Sequence, residues 1–456
     1  MEQGAAEPAR AARAGISAGA WWMLAVLTLL YVASMIDRQV IGLLVPHIKA
    51  DLGINDFQIS LASGAAFALF YSFVGLPVGY AVDRYSRRVV VFVGVLAWGL
   101  ATVACGLAGS FLQLAVARFF VGAGEAALSP AAYSLFGDRI PRHKLGLATA
   151  IFGIGASVGV GIAFGFGGFV MGFMPPEGIA SPFGLLKPWQ ATFVAAAIPA
   201  LVALPLIFTF REPVRTRHPT GPRLTDGLRF VIHHKRFFAP YFSAYGILLV
   251  GTWSFSMWVP MVFVRHYGMT IKEAGSLLMV ISALGSITGG ILFGTLTDRL
   301  AKRGHTDAPV RCYRIAGLGF ALGGLLLMAA PPYPWIIAVC LLLFVSSGLA
   351  SLASAIPATA PSHVRGQVSA LFLLCGNLLG IGAGPSIVAA FTDFVYRDEK
   401  LVHMSIGTTL VVVGPIASVL LWLSMRPMRE AVAAHDHAHA AAHAHNPAPG
   451  GAPVPA

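Results

Sequence analysis

The chain has 456 residues, of which 57% are hydrophobic and 11% charged, with a net charge of +12 and a mean hydropathy of +0.75. A soluble globular chain carries about 25% charged residues, so this one lacks the polar surface that water requires. The positive excess does not mark a nucleic-acid binder: of 31 Lys and Arg, 23 fall at alternate connections and the two termini. Six fall on the other loops (Lys49, Lys187, Arg265, Lys272, Arg397, Lys400) and two inside apolar runs (Arg38, Arg118). This asymmetry follows the positive-inside rule and predicts the basic loops, with both termini, on the cytoplasmic face of the membrane.

In chain order, residues 1–20 form a short N-terminal segment whose Arg10 and Arg13 precede an apolar run, the outline of a signal peptide. The run continues past signal-peptide length and carries Asp37-Arg38, so it reads as a retained first span. Six apolar spans are predicted in 21–210, near 21–46, 56–82, 89–109, 111–137, 143–172 and 188–210. A basic, Pro- and Gly-bearing connector follows at 211–237, with a short surface helix over Leu224–Ile232 facing anionic headgroups. Six more spans are predicted in 238–425, near 238–264, 271–297, 311–330, 334–359, 364–394 and 402–425. The tail 426–456 is rich in Ala, Pro and His and is expected to be disordered. Its His435, His437, His439, His443 and His445 read as a solvated low-complexity stretch, with metal binding the less favoured alternative. Cys105, Cys312, Cys340 and Cys375 lie in or beside apolar runs, without metal-ligand spacing, and read as small buried hydrophobes.

The spans repeat. Gly79-Tyr-Ala-Val-Asp83-Arg84-Tyr-Ser-Arg87-Arg88 returns as Gly294-Thr-Leu-Thr-Asp298-Arg299-Leu-Ala-Lys302-Arg303 (294 − 79 = 298 − 83 = 303 − 88 = 215). Upstream, Gly53-Ile-Asn55-Asp-Phe-Gln58 faces Gly268-Met-Thr270-Ile-Lys-Glu273 at the same offset. Thr270 and Glu273 form a capping box, and Asn55 with Gln58 a weaker one. Each copy therefore runs from a capped helix start to a charged helix end, with enough apolar residues between for one crossing.

Six plus six helices with a doubled Gly-x-x-x-Asp-Arg-x-x-basic-basic loop resemble the major facilitator superfamily over about residues 20–426. The resemblance implies an all-α integral membrane fold of twelve helices in two pseudo-symmetric bundles, with a substrate site near the midplane. It also implies a gating role for Gly79, Asp83, Arg84, Arg87, Arg88, Gly294, Asp298, Arg299, Lys302 and Arg303. In the superfamily the Asp caps a neighbouring helix and binds Arg across the bundle, which holds the cytoplasmic side shut in the outward-facing state. Ser86 departs from the pattern, which usually has Gly there, and span 5 lacks the Gly-Pro of drug-exporting relatives.

Four ionisable residues lie inside spans: Asp37 and Arg38 in span 1, Arg118 and Glu125 in span 4. Each costs about 2.5–3.5 kcal/mol at a helix centre, so they need partners or water. Arg118 and Glu125 are two turns apart and share one face. Asp37 lies about 13 Å below the outer end of span 1, with Arg118 about 10 Å and Glu125 about 21 Å below that of span 4. Asp37 or Arg38 should therefore meet Arg118, with Glu125 nearer the midplane. In the superfamily spans 1 and 4 both line the central cavity, so one polar cluster is expected there. Glu125, with Asp37, is the candidate proton carrier, because an approaching or departing guanidinium changes how firmly a buried carboxyl holds its proton. Arg38 and Arg118 are candidates for an anionic headgroup, since guanidinium pairs bidentately with carboxylate or phosphate. The bland reading of the four is a permanent buried network that only locks helix packing.

Spans 7 and 10, the counterparts of 1 and 4, carry no charge. They offer Tyr241, Tyr245, Trp253, Ser254, Phe255 and Trp258, then Phe344, Ser346, Ser347, Ser351 and Ser354, with Asn377 on span 11. Tyr241, Tyr245, Trp253, Phe255, Trp258 and Asn377 are taken as the substrate's second wall. Asp37-Arg-Gln-Val-Ile-Gly, Ile-Lys49-Ala-Asp-Leu-Gly and Arg118-Phe-Phe-Val-Gly-Ala-Gly-Glu125-Ala resemble bacterial relatives of the Spinster lipid transporters. That likeness implies roles for Asp37, Arg38, Arg118 and Glu125 in substrate binding and proton coupling.

The expected function is a monomeric secondary transporter of the bacterial inner membrane that moves an amphipathic organic anion or lysolipid by alternating access. The proton is the coupling ion, with no other cofactor and no metal. A proton-coupled symporter of small organic anions is the alternative, and a non-transporting membrane sensor or scaffold a second. No nucleophile–base constellation suggests an enzyme.

Overall fold

The computed structural model describes residues 16–445 apart from 142–143, 183, 214–224, 330–331, 333–348 and 362–363. Among the described residues, eleven helices are long and apolar enough to cross a membrane. Span 1 is Ala18–Leu52; span 2 is Asp56–Ser60, a wide π-turn at Leu61–Ala66, then Phe67–Arg84. Span 3 is Arg87–Gly106, span 4 is Phe111–Glu125 with Leu128–Arg139, span 5 is Leu145–Phe173, and span 6 is Pro188–Ala203. In the second half, span 7 is Lys235–Met261, span 8 Ile271–Lys302 and span 9 Ala308–Ala329. Span 11 begins at Arg365–Asn377 and continues through Gly384–Ala390, and span 12 is Val402–His445. The expected tenth span, 334–359, lies mostly outside the described residues, as do Cys340, Phe344, Ser346 and Ser347. Residues 1–15 and 214–224, parts of the expected N-terminal segment and connector, do so too.

The repeat survives as backbone geometry. Span 1 ends on Gly53 in the left-handed region (φ 63°), and the paired Gly268 takes the same conformation (φ 68°); neither position suits a residue with a Cβ. Both capping boxes then form. Asn55 Oδ1 accepts from Gln58 N at 2.8 Å and Gln58 Oε1 from Asn55 N at 3.0 Å. Thr270 Oγ1 accepts from Glu273 N at 3.2 Å and Glu273 Oε2 from Thr270 N at 2.8 Å. Each box satisfies two of the donors that a helix start leaves open.

The loop between spans 5 and 6 carries an antiparallel strand pair, β1 (Ile179–Ser181) with β2 (Gly184–Leu186). One feature departs from the sequence reading: span 12 does not stop at 425. It runs to His445, so the stretch expected to be disordered is helical that far, in keeping with the high helix propensity of its alanines. The connector carries a helix at Asp226–His233, whose Gly227 N donates to Gln367 Oε1 at the start of span 11, 2.6 Å.

Span 1 is buried on most sides, with Val40, Ile41, Leu43, Leu44 and Val45 fully enclosed. It packs against spans 5, 6 and 7, so the charges it carries in mid-span face protein, not lipid. Glycines set how closely the helices approach. Gly124, beside Glu125, lies so near span 3 that a Cβ would stand 2.6 Å from both Gly94 O and Trp98 N. Gly161, Gly165 and Gly168 of span 5 likewise admit span 8 of the other half.

Candidate functional site: a charged pair on the wall of a central cavity

The four intramembrane charges form two ion pairs, sorted by side-chain length. Asp37 meets Arg118 Nη1 at 3.1 Å, both side chains 1% exposed. Arg118 also donates to Asp37 O at 3.2 Å, and Thr102 of span 3 donates its hydroxyl to the same carboxylate. Arg38, adjacent in sequence but turned about 100° around the helix, sends its long stem to Glu125, Nε to Oε2 2.5 Å. Its guanidinium lies over Phe67 and Tyr71, 4.7 and 5.1 Å from the ring centres, within cation–π range. Span 4 breaks after Glu125, at Ala126 and Ala127, which sets this carboxyl at a helix end. Its Oε1 and Arg118 Nε are buried without a hydrogen-bond partner among the described residues.

The two pairs differ in what they face. Arg38 lines a central cavity of about 360 Å³ between the halves. Arg118 does not. It reaches only a recess of about 20 Å³ that adjoins that cavity, shared with Arg38, Gln39, Ser63 and Phe67. The expected pair of headgroup arginines is therefore one wall residue and one buried strut. Of the expected second wall, Tyr245, Trp253, Phe255 and Asn377 line the cavity. Tyr241 and Trp258 do not: the Tyr241 hydroxyl donates to Leu352 O at 2.6 Å and Trp258 Nε1 to Pro385 O at 2.9 Å, both inside helix packing. The expected contrast of a charged wall and an aromatic wall also fails, because Tyr31, Tyr71 and Tyr133 of the first half line the same cavity. One signal was available for them: Tyr31 lies seven residues before Arg38 (38 − 31), two turns away on the same face.

Away from the basic loops, polar contacts that join the halves include Gln39–Ser256 at 2.7 Å, Lys49–Glu399 at 2.6 Å, Arg265–Asp56 at 2.5 Å and Phe57 N–Asp393 at 2.8 Å. At the basic end Asp83, Arg84, Asp298, Arg299, Lys302 and Arg303 are exposed. Arg87 is buried instead, held by Asp138, by Ser134 Oγ at 3.0 Å and by Glu212 at 3.2 Å. Arg88 caps Phe210 O at 3.0 Å. Ser86, the departure from the expected Gly, donates its hydroxyl to Glu212. Burial alone would raise the Glu212 carboxyl, but hydrogen bonds from Ser86 and Arg87 outweigh it and hold the group below the usual carboxylate range. The first copy of the loop thus ties spans 3, 4 and 6 together.

The fold matches that of a bacterial homologue of the human lysosomal transporter Spinster, solved inward-facing and unoccupied. The TM-score is 0.74 and the identity 23%, over 91% of this chain and 99% of that one. A probable sulfoacetate transporter of Cupriavidus necator is 26% identical over 88% of this chain and 93% of its own length. The hexuronate transporter of Escherichia coli K12 is 27% identical over 60% of this chain and 64% of its own. The sequence profile of the Major Facilitator Superfamily matches residues 27–385. With the doubled loop, the paired bundles and the central cavity, that match identifies the chain as a multi-pass membrane transporter belonging to the Major Facilitator Superfamily.

Proposed function

We propose that the chain is a proton-coupled transporter of an amphipathic organic anion in the bacterial inner membrane, working by alternating access with its basic loops in the cytoplasm. The Arg38–Glu125 pair carries this reading. Arg38 offers the only Lys or Arg charge on the wall of the central cavity among the described residues, and a buried carboxylate already occupies it. An incoming anion gains Arg38 only if Glu125 releases it. Leaving an unpaired carboxylate at 1% exposure is costly, whereas a protonated carboxyl carries no such penalty. Anion and proton therefore favour each other's binding, and the linkage is reciprocal. Asp37, fastened to Arg118 and Thr102, positions span 1 so that Arg38 points at Glu125.

The aromatic rings around Arg38 support an anion with an apolar body, a lysolipid among the candidates. A second reading, a small hydrophilic organic anion, is favoured by Gln39, Ser129, Ser157 and Ser256 on the same wall and by the substrates in the names of the sulfoacetate and hexuronate relatives. Competition in proteoliposomes separates the two. Block of counterflow by a lysophospholipid or long-chain sulfonate, with hexuronate and sulfoacetate inert, supports the amphiphile; the converse pattern supports the small anion. In either case Arg38→Ala abolishes counterflow, and its retention contradicts the reading.

A further inference from the structure

We infer that Asp56 is the hub of a four-membered ionic latch that holds the outer end shut, and that opening to the outside proceeds by exchange of partners within that ring. The inference goes beyond the proposed substrate and needs no substrate for its test.

The ring alternates charge. Asp56, at the outer start of span 2, is fully buried. It accepts both terminal nitrogens of Arg265 from span 7, at 2.5 and 2.9 Å, the two-pronged geometry that makes guanidinium–carboxylate pairs strong. It also accepts from Lys49 of span 1 at 2.6 Å. Glu399, before span 12, closes the ring by pairing with Lys49 at 2.6 Å and Arg265 at 3.4 Å. Arg265 is further placed over the Trp258 ring, 5.7 Å from its centre.

Two of the four links, Arg265–Asp56 and Lys49–Glu399, cross between the halves. The other two, Lys49–Asp56 and Arg265–Glu399, lie within one half each. When the halves part at this end, each keeps one cation and one anion already in contact. No buried charge is orphaned, so the usual penalty for breaking a buried pair does not apply in full. The latch is therefore firm when shut and cheap to release, as a cycle that must open and close repeatedly requires.

The latch is also unrepeated. At the 215-residue offset Asp56 faces Ile271, Lys49 faces Val264 and Arg265 faces Ala50. The loops at the basic end appear in both halves, whereas the outer closure is made once, from residues with no counterpart. That asymmetry fits the observed state, in which the ring is complete while Asp83 and Asp298 are exposed.

The test uses the full chain with its cysteines replaced and Ala156, on the cavity wall, changed to Cys. A membrane-impermeant maleimide is applied from outside to intact cells and from inside to inverted vesicles. Asp56→Asn is expected to raise the outside labelling rate about tenfold and lower the inside rate, with Asp56→Glu restoring both. Glu399→Gln, at a half-exposed site that leaves folding intact, is expected to raise the outside rate about threefold. Asp83→Asn is expected to shift labelling the opposite way. An unchanged or lower outside rate in Asp56→Asn, or a rise on both faces, overturns the inference, as does an unchanged rate in Glu399→Gln.

Discussion

Arg118→Ala isolates the strut from the wall. Arg118 and Asp37 are each 1% exposed and 3.1 Å apart, so removing the guanidinium strands a carboxylate whose remaining partner is Thr102. Breaking a buried pair in this way costs about 3–5 kcal/mol. Melting shifts by about 2–4 °C per kcal/mol for cooperative units of 150–250 residues, so a six-helix half should lose on the order of 6–20 °C. Arg118→Met with Asp37→Asn removes both charges and keeps the volume, and should recover at least half of that loss. The assay is the thermal melt of the purified chain, single variants against double. A melt unchanged in Arg118→Ala, or a double variant no more stable than the single one, rules out the strut. Arg118 would then act in contact with substrate or water instead of as a strut.

Tyr241→Phe strands the Leu352 carbonyl in the helix packing and should cost about 1–3 kcal/mol in a melt, leaving apparent substrate affinity unchanged. Asn377→Ala, on the cavity wall, should do the reverse, weakening affinity in counterflow with little effect on the melt. The lowered Glu212 carboxyl gives a pH dependence at the basic end. A depressed folded-state value contributes stability above the unfolded carboxylate range, lost as pH falls through the folded value. Hydrogen-exchange protection around 208–213, corrected for the intrinsic exchange rate at each pH, should therefore fall in acid in the wild type, and this acid-dependent loss should vanish in Glu212→Gln.

Much of the architecture is legible in the sequence because it depends on local rules applied twice. Gly53 and Gly268 take left-handed conformations, Asn55 and Thr270 cap, and the charged loops end spans 2 and 8 at one constant offset. The four intramembrane charges also stand out, since a charge in an apolar run needs a partner wherever it lies. What could not be read is which partner. Asp37 and Arg38 differ by one residue and both face span 4, and the split arises from the reach of one short and one long side chain. Four members of the expected second wall line the cavity, and Tyr241 and Trp258 do not, for a related reason. Tyr241 and Tyr245 look alike in a membrane helix and both stack on Phe372 of span 11; the Leu352 carbonyl holds the Tyr241 hydroxyl in the packing, while Tyr245 lines the cavity. The outer latch escaped because its members are single charges at span ends, where the positive-inside count treats them as exceptions. Alanine-rich sequence after 425 reads as tail or helix depending on whether composition or propensity is weighed first.

The central claim is that Arg38 serves the anion only when Glu125 holds a proton. Proteoliposomes loaded with a pH-sensitive dye, exposed to the anion that competes best in counterflow, test it most directly. Substrate-dependent proton movement is expected in the wild type and none in Glu125→Gln, which should still exchange substrate across the membrane. Substrate flux through the wild type without proton movement, or equal proton movement in Glu125→Gln, would contradict it.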